Sequence, residues 1–444
     1  MENLPKNKIL RTILQLSWPI LIANNVVNAA ALFDMFLVGK LGVSQLAAIS
    51  ISSIILSVYL TMQGGMMSGA IAVVSRFLGG KRHEELSQAV VQMILFSFTA
   101  ASVFSIFLFI FMNDVLVFFG AKGETLASAS GYLPVMLISV VFMSIFSMIN
   151  AIIRGSGDSV TPLKLMSAAS LINIILDPFL IFGIGFFPAM GLKGAAIANL
   201  SGFAAVNFIA VSLLLRGRLR IKIRARDLKF NLSMMTRFVK IVVPAMGQGL
   251  LDKINYMILL KIVAVYGDPF IAAFGIINNL TMFMQRFGWP IGNSGGVIVG
   301  HSLGGGNREN VRHTVKTTLA LYTSVTASFA AVFFVFTGWV IGIFTADSAV
   351  IGYGSQFLHI LAPAYILMGA GVIMFTTFNS AGATGLPLAV NFTAFYLIQI
   401  PLALILPRFI GESGIYWAMT ASMSAHGIIS LLFLKFSNWM DKKI

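Results

Sequence analysis

Three carboxyl groups lie within long apolar stretches of the sequence, where a charge is costly. Asp34, Asp177 and Asp252 are surrounded by Leu, Ile, Val, Phe and Ala, whereas most of the 15 acidic residues lie in polar connections. A carboxylate in the hydrocarbon of a bilayer costs about 2.5–3.5 kcal/mol. We therefore expect these acids either to bind a proton or another cation or to be neutralised in structural ion pairs.

Polar side chains that accompany two of these acids predict a shared site. Asn173 precedes Asp177 by four residues, so it lies on the same helix face, one turn away. Pro178 follows Asp177, removes a backbone donor and frees a carbonyl group nearby. A helix rises about 1.5 Å per residue, so the distance of each residue from the end of its span gives its depth in the membrane. By this measure Asp34, Tyr132, Asp177 and Asn199 all lie in the outer half of the first six spans. The predicted cation-coupling cluster consists of Asp34, Tyr132, Asn173, Asp177 and Asn199.

Two kinds of cation suit this cluster. Two carboxylates in a medium of low dielectric constant can share one proton. A Na+ would instead be held by Asp34, Asn173 and Asp177, with amide oxygens completing its shell. The structural alternative for the two acids is an ion pair, and for Asn199 it is an interhelical hydrogen bond. Apart from such a Na+, we expect no metal and no cofactor.

The composition excludes most other classes of protein. The 444-residue chain is 58% hydrophobic and 10% charged, whereas soluble proteins carry about 25% charged residues. This favours a polytopic helical membrane protein. The sequence contains no cysteine and no Walker A, metal-binding or nucleophile–base motif, so we expect no enzymatic activity. The net charge of +15 fits basic cytoplasmic loops better than a nucleic-acid partner.

Apolar runs separated by Gly, Pro or charged residues predict twelve transmembrane helices. An even number of spans puts both termini on one side of the membrane. The connecting segments on that side contain far more Lys and Arg residues than the segments on the other side. We therefore expect cytoplasmic termini, a location in the inner or plasma membrane, and a monomer in the lipid bilayer. The predicted spans are 12–38, 46–74, 87–111, 125–150, 162–183, 191–215, 238–264, 270–298, 311–340, 350–378, 385–407 and 414–435.

The two halves of the sequence repeat each other at a constant offset of 225 residues, as Pro19 with Pro244 and Gly42 with Gly267 illustrate. Because six spans per half is an even number, the repeats are parallel, an arrangement typical of alternating-access transporters. The predicted fold is an all-α polytopic membrane protein with 12 transmembrane helices in two pseudo-symmetric six-helix lobes. The N-terminal lobe is predicted at 1–220, a basic cytoplasmic linker at 221–237 and the C-terminal lobe at 238–444.

Methionines and prolines within the spans suggest a cavity and hinges. Met side chains repack easily around varied ligands, so we assign a substrate cavity to Met62, Gln63, Met66, Met143 and Met166. The alternative is that the methionines face lipid or fill the helix packing. Pro19, Pro134 and Pro178 are predicted hinges, with static kinks as the alternative.

A charged site is predicted in the second half. Asp252 lies near the middle of the seventh span and adjoins Lys253, while Arg286 lies at a compatible depth on the eighth. The favoured interpretation is an Asp252 compensated by Lys253 or Arg286, and the alternative is binding of a cationic compound.

The sequence resembles the multidrug and toxic compound extrusion (MATE) family over nearly its whole length. The resemblance rests on LSWPILIANN, DMFLVGKLG, VVSRFLGGKR, RGSGDSVTP and LDPFLIFGIG in the first half. Fainter echoes in the second half are VVPAMGQG, VGHSLGGGNREN and NSAGATGLP. Asp34 and the LDP motif are most similar to the archaeal and DinF-like branches.

This resemblance implies export of amphipathic, often cationic compounds, coupled to inward flow of H+ or Na+. By position it implies coupling roles for Asp34, Tyr132, Asn173 and Asp177, whereas relatives often carry Thr near Asn199. A lipid-linked oligosaccharide flippase of the same superfamily and a passive channel are the alternatives. The acids of the N-terminal lobe and the twelve spans argue against the flippase. A membrane receptor is a further alternative, and the duplication of the sequence argues against it.

Overall fold

The structure is a computed structural model that describes residues 4–217, 219, 221 and 229–442, and these residues form helices and connections without a strand. The predicted linker at 221–237 therefore lies partly outside the described residues. The helix that follows it begins at Leu232, six residues before the predicted span. The all-helical fold predicted from the sequence is confirmed.

The first half forms six long helices and one short one, which coincide with the first six predicted spans. In chain order they are α1 (Lys6–Gly39), α2 (Val43–Gly79), α3 (His83–Ile110), α4 (Met112–Phe118), α5 (Gly123–Gly155), α6 (Val160–Phe182) and α7 (Leu192–Leu215).

The second half has more interruptions. Its helices are α8 (Leu232–Val263), α9 (Asp268–Gly304), α10 (Arg308–Val335), α11 (Thr337–Gly342), α12 (Ser348–Leu361), α13 (Ala364–Ser380), α14 (Gly385–Asn391), α15 (Ile400–Ile405), α16 (Pro407–Ile410) and α17 (Ser413–Phe436). A π-helical segment, Phe392–Gln399, joins α14 to α15.

Among the described residues, nine helical segments are long and apolar enough to cross a membrane. One of the nine is Gly385–Ile410, which comprises α14, the π-helical segment, α15 and α16. A bent helix pair raises the number to ten. That pair is α12 and α13, which meet at 62° where the sequence predicts one continuous span. Pro363 lies at the bend, where its missing N–H and its ring disfavour a straight helix. Helices α8 and α9 occupy two further predicted spans, and α8 carries Lys240, Asp252, Lys253 and Lys261.

The chain forms two compact units, Trp18–Lys240 and Met1–Ser17 with Ile241–Ile444. The start of α1 thus packs with the C-terminal half: Ile9 and Ile13 share an apolar core with Ile298, Val299 and Val311. The first turns of α1 are therefore packed within the C-terminal unit, although the number of predicted spans assigns the whole helix to the N-terminal half.

Close backbone packing fixes α6 against α7 in the N-terminal unit. A Cβ atom added at Gly202 would lie 2.8 Å from the carbonyl oxygen of Ala169, closer than real contacts allow. Gly194 packs equally tightly against the carbonyl group of Leu180. The glycines therefore let α7 approach the helix that carries Asn173 and Asp177.

Replacing Gly202 with Val should destabilise the N-terminal unit, because the added side chain collides with backbone that cannot swing aside. Overpacking of this kind costs about 1–3 kcal/mol. We expect a lower Tm for Gly202→Val in thermal unfolding of the purified protein. Gly64→Ala is the matched control: a Cβ at this helical glycine meets no atom within 4 Å, so its Tm should not fall. Equal losses in both variants would contradict this account.

Candidate ion and substrate site

Among the described acids of the N-terminal unit, Asp177 is the most deeply buried, with none of its surface exposed. It lies on α6, where the Nδ2 atom of Asn173 donates a hydrogen bond to Asp177 Oδ1 at 3.3 Å. Within the described part of the chain, Asp177 Oδ2 is buried and has no hydrogen-bond partner. One carboxyl oxygen is therefore held in place and the other is available to a ligand.

Asp34 on α1 shares this environment. Its Oδ1 atom is also buried and lacks a hydrogen-bond donor among the described residues. The two carboxyl groups are close enough to interact electrostatically, and the buried Tyr132 of α5 lies within the same range of both. The structure thus brings together Asp34, Tyr132, Asn173 and Asp177 from three helices, in an arrangement that can hold a proton or a small cation between two acids.

Asn199 on α7 is engaged differently from the other cluster residues. Its Oδ1 atom accepts a hydrogen bond from Ser139 Oγ of α5 at 2.6 Å. One lone pair of that oxygen is therefore occupied, which favours the interhelical hydrogen bond over ion coordination. The role of Asn199 remains a prediction.

A cavity of about 300 Å³ opens within the N-terminal unit beside Asp34 and Asn173, whereas Asp177 and Tyr132 do not line it. Its wall is largely apolar and includes polar side chains from α1, α5, α6 and α7. The lining residues are Asn24, Val27, Ala30, Ala31, Asp34, Met67, Met143, Phe146, Ser147, Asn150, Arg154, Met166, Ala169, Ser170, Asn173, Asn199 and Phe203.

The residues assigned to a substrate cavity from the sequence divide into two groups. Met143 and Met166 line this cavity, whereas Met62, Gln63 and Met66 do not. Gln63 and Met66 are buried in helix packing. Consecutive helical residues point about 100° apart, so α2 turns Met67 towards the cavity when it turns Met66 away.

Arg154 is a cavity residue that the sequence reasoning missed. It lies beyond the predicted span 125–150, but in the structure it belongs to the last turn of α5, is 8% exposed and lines the cavity. Its Nη2 atom lies 3.3 Å from the Met166 sulfur, a weak acceptor, and its Nε atom has no acceptor among the described residues. Its place in the RGSGDSVTP motif was the available signal.

The C-terminal unit places Asp252 in a hydrogen-bonded chain. Asn391 Nδ2 donates to Asp252 Oδ1 at 2.9 Å, and His426 Nε2 donates to Asn391 Oδ1 at 3.1 Å. The three residues line a separate cavity of about 130 Å³, whose wall also includes Gln285 and Trp289.

The expected ionic partners of Asp252 do not pair with it. Among the described residues, neither Lys253 nor Arg286 forms a salt bridge with Asp252, and Asn391 is the partner instead. The reason is helical rotation: Lys253 is adjacent to Asp252 on α8 and points about 100° away from it. On α9 it is Gln285, not the adjacent Arg286, that faces the cavity.

The prolines assigned as hinges lie inside unbroken helices. Pro19 is within α1, Pro134 within α5 and Pro178 within α6. Pro178 directly follows Asp177, so the local loss of a backbone donor adjoins the buried carboxyl group. Their hinge function remains a prediction.

Replacing Asn391 with Leu should destabilise the C-terminal unit, because Asp252 and His426 both lose their shared partner. Leaving a buried polar group unpaired costs about 1–3 kcal/mol. Asn391 is buried, but His426 is half-buried and Asp252 is exposed, so we expect a loss at the lower end of this range. We expect a lower Tm for Asn391→Leu by thermal unfolding. Asn279→Leu, at an exposed position on α9, is the matched control and should leave the Tm nearly unchanged. A wild-type Tm for Asn391→Leu would show that the hydrogen bonds among Asp252, Asn391 and His426 contribute no stability.

Comparison with known proteins places this arrangement in a family. The MatE family model matches residues 19–179 and 244–405, two stretches that begin 225 residues apart, the offset of the sequence repeat. The chain is 24% identical to the probable multidrug resistance protein YoeA of Bacillus subtilis over 396 residues, 88% of this chain and 85% of that protein. It is also 24% identical to the multidrug export protein MepA of Staphylococcus aureus, over 97% of this chain and 94% of that protein.

Solved structures share the fold. The Vibrio cholerae MATE transporter VcmN in its bent form superposes with a TM-score of 0.89 at 23% identity, over 97% of both chains. A MOP superfamily transporter from Pyrococcus furiosus superposes with a TM-score of 0.86 at 21% identity, over the full length of both chains. The family match covers most of the sequence in two copies, and the fold agrees throughout. The chain therefore belongs to the MatE family of multi-pass membrane transporters.

Proposed function

We propose that this protein is a cation-coupled antiporter, which exports amphipathic and cationic organic compounds by alternating access while H+ or Na+ flows inward. The observation that carries the proposal is the pair of buried oxygens, Asp34 Oδ1 and Asp177 Oδ2, which have no donor among the described residues. Carboxylates in hydrocarbon are costly unless a proton or a cation neutralises them. A binding site for one coupling ion explains why both acids are present.

The neighbouring residues have distinct parts in this mechanism. Asn173 holds one oxygen of Asp177, so the other stays directed towards the ion. Tyr132 supplies a buried hydroxyl group in the electrostatic range of both acids. Asn199, held by Ser139, fixes the distance between α5 and α7 and can offer its remaining lone pair to Na+.

In the proposed cycle, the ion binds the two acids from outside and neutralises them. Neutralisation weakens the attraction between Asp34 and a cationic substrate in the adjoining cavity, so the substrate is released outward. Release of the ion to the cytoplasm restores the charge and resets the carrier. When a substrate without net charge is exchanged for one ion, one elementary charge crosses inward, and at 100 mV this contributes about 2.3 kcal/mol, which sustains about a fiftyfold accumulation. Exchange of a monovalent cationic substrate for one ion moves no net charge, so the concentration gradient of the ion drives it.

The proposed substrates follow from the cavity wall and from relatives. Met and Phe side chains provide an adaptable apolar surface, and Asp34 attracts positive charge. The relatives include the probable multidrug resistance protein of Bacillus subtilis and the multidrug export protein of Staphylococcus aureus. A FAD transporter of Shewanella oneidensis is also 24% identical, over 419 residues. We place both termini in the cytoplasm, since basic residues concentrate in the segments on that side, and propose a monomer as the working unit.

Transport in proteoliposomes tests the proposal. Ethidium accumulation is measured with an imposed pH gradient and, separately, with a Na+ gradient. We expect one gradient to drive uphill transport by the wild type and expect Asp34→Asn and Asp177→Asn to abolish it, since a neutral side chain holds no exchangeable ion. The gradient that drives transport identifies the coupling ion.

Asp114→Asn serves as the control, because this acid is exposed at the start of α4 in the same unit. It should transport like the wild type. Wild-type transport that ignores both gradients would contradict coupling and favour a passive channel. Uphill transport that survives in Asp34→Asn would remove this residue from the coupling site.

A further inference from the structure

Arg154 is a buried cation that has no counter-ion among the residues the structure describes. Within the described part of the chain it forms no salt bridge, and its 8% exposed surface faces the cavity of the N-terminal unit. Its Nη2 atom contacts the thioether of Met166, while its Nε atom has no acceptor in the described part of the protein. A buried charge left unpaired is strongly destabilising, so a guanidinium in this position calls for an anionic ligand.

The nearest acid along the chain is already occupied. Asp158 caps the start of α6: its Oδ1 atom accepts from the backbone N–H groups of Val160 and Thr161, and its Oδ2 atom accepts from the Thr161 hydroxyl. Its oxygens are thus engaged by the helix that follows, and Asp158 does not line the cavity.

Arg154 and Asp34 lie at opposite ends of the cavity. The lining residues of α1 run from Asn24 to Asp34, and those of α5 run from Met143 to Arg154. As the first and fourth of successive spans, α1 and α5 run in opposite directions, so the last lining residue of one is far from the last of the other. At 1.5 Å per residue, each lining stretch is about 15–17 Å long. The cavity therefore has an acid at one end and a base at the other.

Contacts on α6 support the same polarity. Met166, near the start of α6, touches Arg154, whereas Asn173, two turns later, holds Asp177 beside Asp34. Both Met166 and Asn173 line the cavity, so α6 independently orders its basic end before its acidic end.

From this arrangement we infer that the N-terminal cavity selects zwitterionic amphipathic compounds: a substrate carboxylate pairs with Arg154 while the substrate's cationic group lies towards Asp34. The inference rests on the proposed export function and narrows its substrate class. An arginine suits this task because its planar guanidinium binds a carboxylate through two parallel hydrogen bonds. A purely cationic compound uses the Asp34 end and gains nothing from Arg154.

Norfloxacin, its methyl ester and ethidium separate these roles. Norfloxacin carries a carboxylate and an ammonium group, the ester lacks the carboxylate, and ethidium is a permanent cation. Affinities are measured by fluorescence titration of the purified full-length protein in lipid nanodiscs. We expect the wild type to bind norfloxacin at least about tenfold more tightly than the ester, because a charge-assisted pair is lost.

Substitutions assign the effect to the side chain. Arg154→Gln should bind norfloxacin and the ester equally, both about as weakly as the wild type binds the ester, and should bind ethidium within about twofold of wild type. Arg154→Lys should recover part of the preference. Lys164→Gln removes an exposed base from the same region of α6 and should match the wild type.

Two results would overturn the inference. One is equal wild-type affinity for norfloxacin and its ester, a comparison that needs no variant and so does not depend on folding of a substituted protein. The other is an equal loss of ethidium and norfloxacin binding in Arg154→Gln, which would assign Arg154 to stabilisation of the α5 C-terminus. Because binding is measured without gradients, a failure of ion coupling would leave this test intact.

Discussion

The high cost of an uncompensated charge in hydrocarbon organises the N-terminal unit. Within the described residues, Asp34 and Asp177 each keep a buried oxygen without a donor, and Arg154 keeps a guanidinium without an acidic partner. The fold has not paired these opposite charges with each other, although they border the same region. Instead Asp34 and Arg154 line opposite ends of the cavity, and in the proposed mechanism a coupling ion and a substrate compensate the charges.

Helix packing sets the positions of these charges. Glycines on α7 allow it to lie against the backbone of α6, which holds the Asn173–Asp177 pair in place. The Ser139–Asn199 hydrogen bond ties α5 to α7 across the same region. The acid of the C-terminal unit is bonded differently, since Asn391 donates a hydrogen bond to Asp252 and is itself held by His426. We therefore assign the exchangeable ion to the N-terminal acids.

Much of this arrangement could be predicted from the sequence, because a carboxylate within an apolar run is conspicuous. The positions of the helices follow from the same apolar runs, and the Asn173–Asp177 contact follows from a spacing of four. Helix rotation could not be predicted: α2 directs Met67, not Met66, to the cavity, and α9 directs Gln285, not Arg286. A residue at the end of a span, such as Arg154, is equally consistent with a loop, and only tertiary packing buries it.

The most direct measurement of the central claim is the ion exchanged when substrate binds. Purified protein in weakly buffered micelles is titrated with ethidium while a pH indicator and a sodium electrode record released ions. We predict release of about one H+ or one Na+ per wild-type protein and none from Asp34→Asn or Asp177→Asn, because the two acids share one ion. Undiminished release from both variants would contradict the account and place the coupling site elsewhere.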